Sequence, residues 1–172
     1  MKNEQKINKE YYENGQLKSI YKYVNKLLHN DNKPAAITYF KNGELRRVDY
    51  LKYGKFYRIS GPASIRYYYK CREKELVYIK NNTTKIHRKY GPASVFYYKN
   101  GNIKKEIFII DGKYHNEYGP AELLYNEHGR LVANFYYLNN NKLNKETWQL
   151  NLRKKKINKI NLKNEKIIST PK

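Results

Sequence analysis

Cysteine, methionine and tryptophan occur once each in the 172 residues, proline five times and glycine nine times. The lone cysteine, Cys71, excludes a disulfide framework and a cysteine-based zinc site. No apolar stretch approaches the roughly 18 residues that cross a bilayer; Ile107-Phe108-Ile109-Ile110 has the length of a strand. Met1–Tyr12 is charged and lacks the apolar core of a signal peptide. These absences lead us to expect an intracellular protein (cytoplasm or nucleus), or one inside a virion, neither secreted nor transmembrane. Acidic residues are also scarce: 15 Asp and Glu face 36 Lys and Arg, a formal charge of +21. No paired carboxylates recur, and one cysteine with four histidines assembles no nucleophile, base and orienting group at any recognised spacing. We therefore expect a non-enzymatic chain with no catalytic residue, no cofactor and no metal site.

What the chain does have is an internal repeat. Pro-Ala recurs at Pro34-Ala35, Pro62-Ala63, Pro92-Ala93 and Pro120-Ala121, a period of about 28 residues. Nine residues after each proline stands a turn: Asn42-Gly43, Lys70-Cys71, Asn100-Gly101 and His128-Gly129. Near position twenty stands another: Tyr53-Gly54, Asn81-Asn82, Asp111-Gly112 and Asn139-Asn140. Asn-Gly and Asp-Gly supply positive φ at low steric cost, as two-residue hairpins require. With Asn14-Gly15 in a leading partial copy and the three Gly-Pro steps, every glycine is placed by the repeat, so none remains for a phosphate-binding loop. The two-residue excess of the third unit lengthens the turn at Asn81-Asn82-Thr83-Thr84.

Between turns the period is two. Ala35/Ile37/Tyr39, Ala63/Ile65/Tyr67, Ala93/Val95/Tyr97 and Ala121/Leu123/Tyr125 read as one buried sheet face, while the intervening positions are mixed and imply a partly wet one. Return strands are expected at 17–24, 45–52, 76–80, 103–110 and 131–138, each followed by a short strand near Lys-x-His or its variant. The expected fold class is all-β, an elongated antiparallel meander, a solenoid-like sheet of repeated β-hairpins with a short basic C-terminal tail. Residues 1–10 read as a lead-in, 11–147 as about five hairpin units, and 148–172 as a capping strand (Trp148–Leu152) and basic tail.

Tyr11-Tyr12-Glu13-Asn14-Gly15-Gln16-Leu17-Lys18 closely resembles the core of a MORN-type repeat in its variant form, and Tyr39–Leu45 and Tyr98–Lys104 repeat it. Lys85-Ile86-His87-Arg88-Lys89-Tyr90-Gly91-Pro92-Ala93 resembles the His-Arg-x-x-Gly-Pro-Ala repeats of phage and giant-virus proteins. The resemblance covers about residues 11–147, with a longer period than the standard unit. It implies β-hairpins in one extended sheet and a role in assembly or binding, with lipids or proteins as partners. Bacterial members that act as antitoxins imply a dedicated toxin partner as a third possibility.

The charge turns attention to polyanions: nucleic acid, acidic lipid or an acidic protein. Codon bias toward Lys, Asn, Ile and Tyr is the bland alternative. His29, His87 and His115 share one repeat position, with Tyr57 and Asn144 at the equivalent places; their rings are expected to close a turn against their own Gly-Pro-Ala segment. Nearby Lys26, Lys55, Lys85, Lys113 and Lys142 would form a ladder able to track phosphates. On the mixed face, Phe40, Tyr68, Phe96 and Tyr98 are candidates for stacking on bases, with Arg66, Lys70 and Lys99 close by. In the tail, Arg153, Lys154, Lys155 and Lys156 form a clamp or a solvated cluster, and the 157–162 alternation permits a strand or a short amphipathic helix. The leading functional expectation is nucleic-acid binding, DNA or RNA. The alternative is a protein scaffold or a virion- or membrane-associated assembly component, meeting an acidic protein or anionic membrane surface. Homo-oligomers through the sheet ends are a further possibility.

Overall fold

The computed structural model describes residues 4–58, 60–69, 72–81 and 83–168. Its main body is one antiparallel meander. The strands are β1 (Gln5–Tyr11), β2 (Leu17–Val24), β3 (Leu27–Leu28), β4 (Ala36–Tyr39), β5 (Leu45–Asp49), β6 (Leu51–Lys52), β7 (Lys55–Phe56), β8 (Ser64–Tyr68), β9 (Arg72–Val77), β10 (Ser94–Tyr97), β11 (Ile103–Ile107), β12 (Ile109–Ile110), β13 (Lys113–Tyr114), β14 (Glu122–Tyr125), β15 (Leu131–Leu138) and β16 (Asn141–Leu143). Neighbours run β1-β2-β4-β5-β8-β9-β10-β11-β14-β15-β16, with β3 beside β2. Nothing closes this path into a barrel among the described residues. The accessible surface, 12219 Å², exceeds the roughly 9,000 Å² of a compact monomer of this mass, as a thin ribbon requires.

Register is continuous from copy to copy. Ile20, Ile37, Val48, Ile65, Leu76 and Val95 are successive cross-strand partners, and Glu106 and Leu123 extend the row. A one-residue slip would turn this row to the opposite face, so the pattern fixes the pairing. The Pro-Ala step sets where each unit begins. Proline has no N–H to give the ladder and therefore suits the start of a strand. The alanine after it pairs on both sides; for example, Ala93 donates to the Ile107 carbonyl (2.8 Å) and accepts from the Tyr78 N–H (2.8 Å). Ala35, Ala63, Ala93 and Ala121 are at most 1 % exposed, which leaves no room for a larger side chain.

The expected division into a dry and a wet face holds only in part. Ala36, Ser64 and Ser94, on the mixed face, are also buried. The short second hairpin of each unit covers this face near the prolines. Ala35, Ala36 and Leu51 pack with Tyr21, Leu28 and Phe56, and Ala93, Ile107 and Ile109 pack with Ile86, Phe96 and Tyr114. The core is thus a seam of small clusters under the second hairpins.

The two turns of each unit differ. At the second, both central residues have positive φ: Tyr53 48° and Gly54 76°, Asp111 50° and Gly112 81°, Asn139 53° and Asn140 71°. This is the two-residue hairpin that the sequence leads one to expect. At the first turn only the glycine is left-handed, as at Gly15 and Gly101, and the register slips by one residue beside it. These are longer loops closed by a glycine bulge, not two-residue turns. The asparagine before the glycine holds the loop: Asn14, Asn42 and Asn100 each accept a backbone N–H two residues on.

Four expected elements are placed differently. The strands expected at 45–52 and 103–110 each break in two, into β5 and β6 and into β11 and β12. The strand expected at 76–80 runs from Arg72 to Val77 instead, with Glu73 at the pairing position that Leu45, Ile103 and Leu131 hold in the other units. The expected capping strand Trp148–Leu152 is instead the start of a helix, α1 (Lys145–Ile168). Asn144, at the fifth copy of the histidine position, is its N-cap and accepts the Thr147 N–H at 2.8 Å. The segment has neither Gly nor Pro until Pro171 and carries Glu146 in its first turn, both of which favour helix over strand. No described helix is long and apolar enough to cross a membrane.

The inter-strand bonds include one phenol with an unusual titration. Tyr125 donates its hydroxyl to Glu106 at 2.7 Å, and burial together with that carboxylate pushes its pKa up to about 12. A phenol raised above its unfolded value of about 10 contributes stability that is complete below pH 10 and is lost as pH climbs through 12. Tyr125→Phe is expected to remove a late phenolate from a 295 nm titration and to flatten the decline in stability over that window. Unchanged alkaline curves would refute this role for the pair.

Candidate polyanion-binding surface

The second hairpins stack along one rim. Gly54 donates to the Leu28 carbonyl (2.8 Å), Gly112 to Ile86 (2.9 Å) and Asn140 to Tyr114 (2.9 Å). The repeat histidines reinforce these steps. Nδ1 of His29, His87 and His115 accepts the backbone N–H of Tyr53 (3.2 Å), Asp111 (3.0 Å) and Asn139 (3.2 Å). Each ring therefore stitches its unit to the turn of the next, and does not close its own Gly-Pro-Ala segment. That closure belongs to the following residue: Asn30, Arg58, Arg88 and Asn116 donate to the carbonyls of Pro34, Pro62, Pro92 and Pro120. The guanidiniums of Arg58 and Arg88 also lie over Tyr50 (3.9 Å) and Tyr78 (4.0 Å). This clasp was readable as a recurrent Asn or Arg four residues before each proline.

Stacking in register brings the expected lysines to one edge. Lys26, Lys55, Lys85, Lys113 and Lys142 all lie in these rim hairpins or their turns and are all exposed. Two strands per unit imply a spacing of about 10 Å along the rim. The step from the second unit to the third interrupts the stitching. Tyr57 replaces histidine there, and the Arg58 N–H reaches the side chain of Asn81 at 3.2 Å instead. The Lys142 ammonium lies 4.0 Å from the centre of the Phe135 ring.

The carboxylates are engaged by other cations. Lys52 holds Asp31 at 3.2 Å and Lys80 holds Asp111 at 2.6 Å; each lysine keeps its partner's pKa below the usual carboxylate range. On the sheet, Arg47 pairs with Asp49 (2.8 Å), Arg66 with Glu75 (2.8 Å) and Lys105 with Glu122 (2.5 Å). Asp49, Glu75 and Glu122 are thereby paired on the sheet, Asp31 and Asp111 are paired at the exposed rim, and the ladder lysines stand outside these pairs.

The four expected stacking rings, Phe40, Tyr68, Phe96 and Tyr98, are all half-buried. Phe96 packs into the core seam. Tyr98 donates its hydroxyl to the Tyr125 carbonyl at 2.8 Å, as Tyr12 does to Tyr39 in an earlier copy. Phe40 meets Tyr69 edge-on at 5.9 Å. Tyr68 is half-buried and Lys99 is exposed, whereas Arg66 is tied to Glu75. Lys70 lies outside the described residues. Aromatic ladders in a ribbon this thin are structural, because each ring is needed to cover its neighbours.

The helix supplies the second positive surface. Trp148 anchors it: the indole is 8 % exposed, stacks on Tyr136 at 4.9 Å and donates to the Asn116 carbonyl at 2.9 Å. Lys155 bonds to Glu117 and holds that carboxyl's pKa below its ordinary value. From Arg153 to Leu162 every residue is exposed, so Arg153, Lys154, Lys156 and Lys159 project from the ribbon. No group of three or more His, Cys, Asp or Glu able to hold a metal occurs among the described residues.

Fold and surface together define a class: a stitched ribbon of antiparallel hairpins, closed at its C-terminal end by a basic helix. Comparison of the chain with protein-family models, with curated proteins and with solved structures returns no match.

Proposed function

We propose that this chain is a non-enzymatic, MORN-type repeat protein that binds a polyanion, with nucleic acid as the ligand. The observation that carries the reading is the segregation of charge. Five carboxylates are paired with lysines or arginines outside the ladder, three of them on the sheet, while the rim lysines and the arginine and lysines of α1 are exposed. A surface of this kind releases counterions on binding, so its affinity depends steeply on salt. Such a ligand belongs to the cytoplasm, the nucleus or a virion interior.

The test is a mobility-shift or anisotropy titration with single- and double-stranded oligonucleotides at 50 and 200 mM salt. Six or more phosphate contacts predict a loss of about 10³-fold or more on duplex between the two conditions. Binding that is absent, or indifferent to salt, would remove the proposal.

A scaffold or membrane-associated assembly role is the second reading. It is favoured by Leu150 (50 % exposed), Ile157 (56 %) and Ile160 (50 %), which share the open side of α1 with Arg153 and Lys154. That side suits an acidic protein or an anionic bilayer. Flotation with acidic vesicles, run beside the oligonucleotide titration, separates the readings.

A further inference from the structure

Between the second and third Gly-Pro-Ala loops lies a cleft of about 620 Å³. Its floor is Phe108, Ile110 and Leu123 with Glu106; its lips are residues 88–91 and 116–120. One tyrosine stands on each lip. Tyr90 is 71 % exposed and Tyr118 is 88 % exposed, the two most open of the exposed large hydrophobic side chains. They occupy the same repeat position, two residues before Pro92 and Pro120, where the earlier copies have Asn32 and Ser60. The first two units therefore cannot build this feature.

The tyrosines are not needed for the fold. Tyr12, Tyr98 and Tyr125 donate across the sheet and Tyr21 and Tyr114 pack on the core, whereas these two are the most exposed. The lips beneath them are nevertheless fixed. Arg88 donates to the Pro92 carbonyl at 3.1 Å, and Asn116 both donates to Pro120 at 2.8 Å and accepts the Tyr118 N–H at 2.9 Å. Trp148 locks the Asn116 carbonyl from the helix side. A rigid slot with an apolar floor and an aromatic ring on each lip fits a flat ligand of low polarity on its faces.

Charge narrows the choice. Glu106 is engaged by the Tyr125 hydroxyl, and Glu117 by His115 Nε2 (3.2 Å) and Lys155. Lys89, beside Tyr90 with its ammonium 5.1 Å from the ring, stands on one lip, and α1 brings Lys155 to Glu117 on the other. A flat body with an attached anion describes a nucleotide. In a duplex the base faces are covered by their neighbours and the edges by the complement; only an unpaired base can enter a slot.

We infer that the cleft between Tyr90 and Tyr118 receives an unpaired nucleobase, so that the protein prefers single-stranded nucleic acid to duplex. This rests on the polyanion reading above and adds to it a site and a strand preference. Base–aromatic stacking predicts a loss of roughly 5- to 150-fold in single-strand affinity when the stack is removed.

The experiment compares wild type with Tyr90→Ala/Tyr118→Ala and Tyr90→Phe/Tyr118→Phe on three probes: a single-stranded 20-mer, its blunt duplex, and a strand of the same length made of abasic residues. The alanine variant should lose single-strand affinity by that factor, keep duplex affinity, and no longer distinguish the abasic strand. The phenylalanine variant should behave as wild type. Both side chains are exposed, so unchanged far-UV dichroism and melting are expected and would show that the fold is intact. Equal wild-type affinity for normal and abasic strands, or equal losses on strand and duplex in the alanine variant, would overturn the inference while leaving polyanion binding in place. No binding to any probe would overturn both.

Discussion

Trp148→Ala is expected to lower stability by about 3–5 kcal/mol, the range for truncating a large buried aromatic. Two losses coincide at this residue. The indole fills the space against Tyr136, and its N–H satisfies the Asn116 carbonyl. Asn116 also holds the Pro120 carbonyl and the Tyr118 N–H, so the last loop loosens with the helix. The last unit of a linear array has no neighbour on one side and depends on its cap. Chemical denaturation of the variant should show the C-terminal unit melting before the rest, as a lowered midpoint in hydrogen exchange confined to β14–β16. Trp148→Phe should recover part of the loss, because stacking on Tyr136 survives while the bond to Asn116 does not. A variant as stable as wild type would mean that α1 is an appendage and not a cap.

The second large effect concerns α1 itself. Replacing Arg153, Lys154, Lys156 and Lys159 together by glutamine removes four exposed cations that take part in no ion pair within the described residues. If each meets a phosphate, the salt dependence on single strands weakens by about 0.7 per contact. Between 50 and 200 mM salt the change in affinity should then shrink by about 50-fold relative to wild type. Glutamine keeps helix propensity and length, so dichroism should not change. Lys155 is left in place because it tethers the helix to Glu117. An unchanged salt slope would assign the contacts to the rim lysines, and replacing Lys26, Lys55, Lys85, Lys113 and Lys142 would then show the loss.

The ribbon was legible because its constraints are local and recur. Pro-Ala marks each strand start, Asn-Gly marks three of the bulged loops, and Ile37, Ile65, Val95 and Leu123 share one row at period two. What escaped the sequence depends on contacts between copies. A histidine at a fixed position announces a role but not a partner, and the acceptor at Nδ1 is met 24 residues further along. Glu73 hid a strand start because it breaks the apolar pattern where other copies have Leu or Ile. The helix was obscured by its composition. Its apolar residues do not gather into a single stripe: Trp148 and Leu152 face the sheet while Leu150, Ile157 and Ile160 face away. Tyr90 and Tyr118 looked like two more of the 20 tyrosines until their exposure set them apart.

The stitching of each unit to its successor leaves the molecule free to change its length. Every clasp described above lies within four residues, and every histidine bond and turn contact reaches no further than the next unit, so excising residues 92–119 would join Gly91 to Pro120 and present Arg88 with an equivalent proline carbonyl. A gene encoding such a chain can shrink or grow by whole copies without disturbing what remains. Reach along an extended ligand then becomes a quantity that natural selection can adjust in steps, at a cost confined to a single junction.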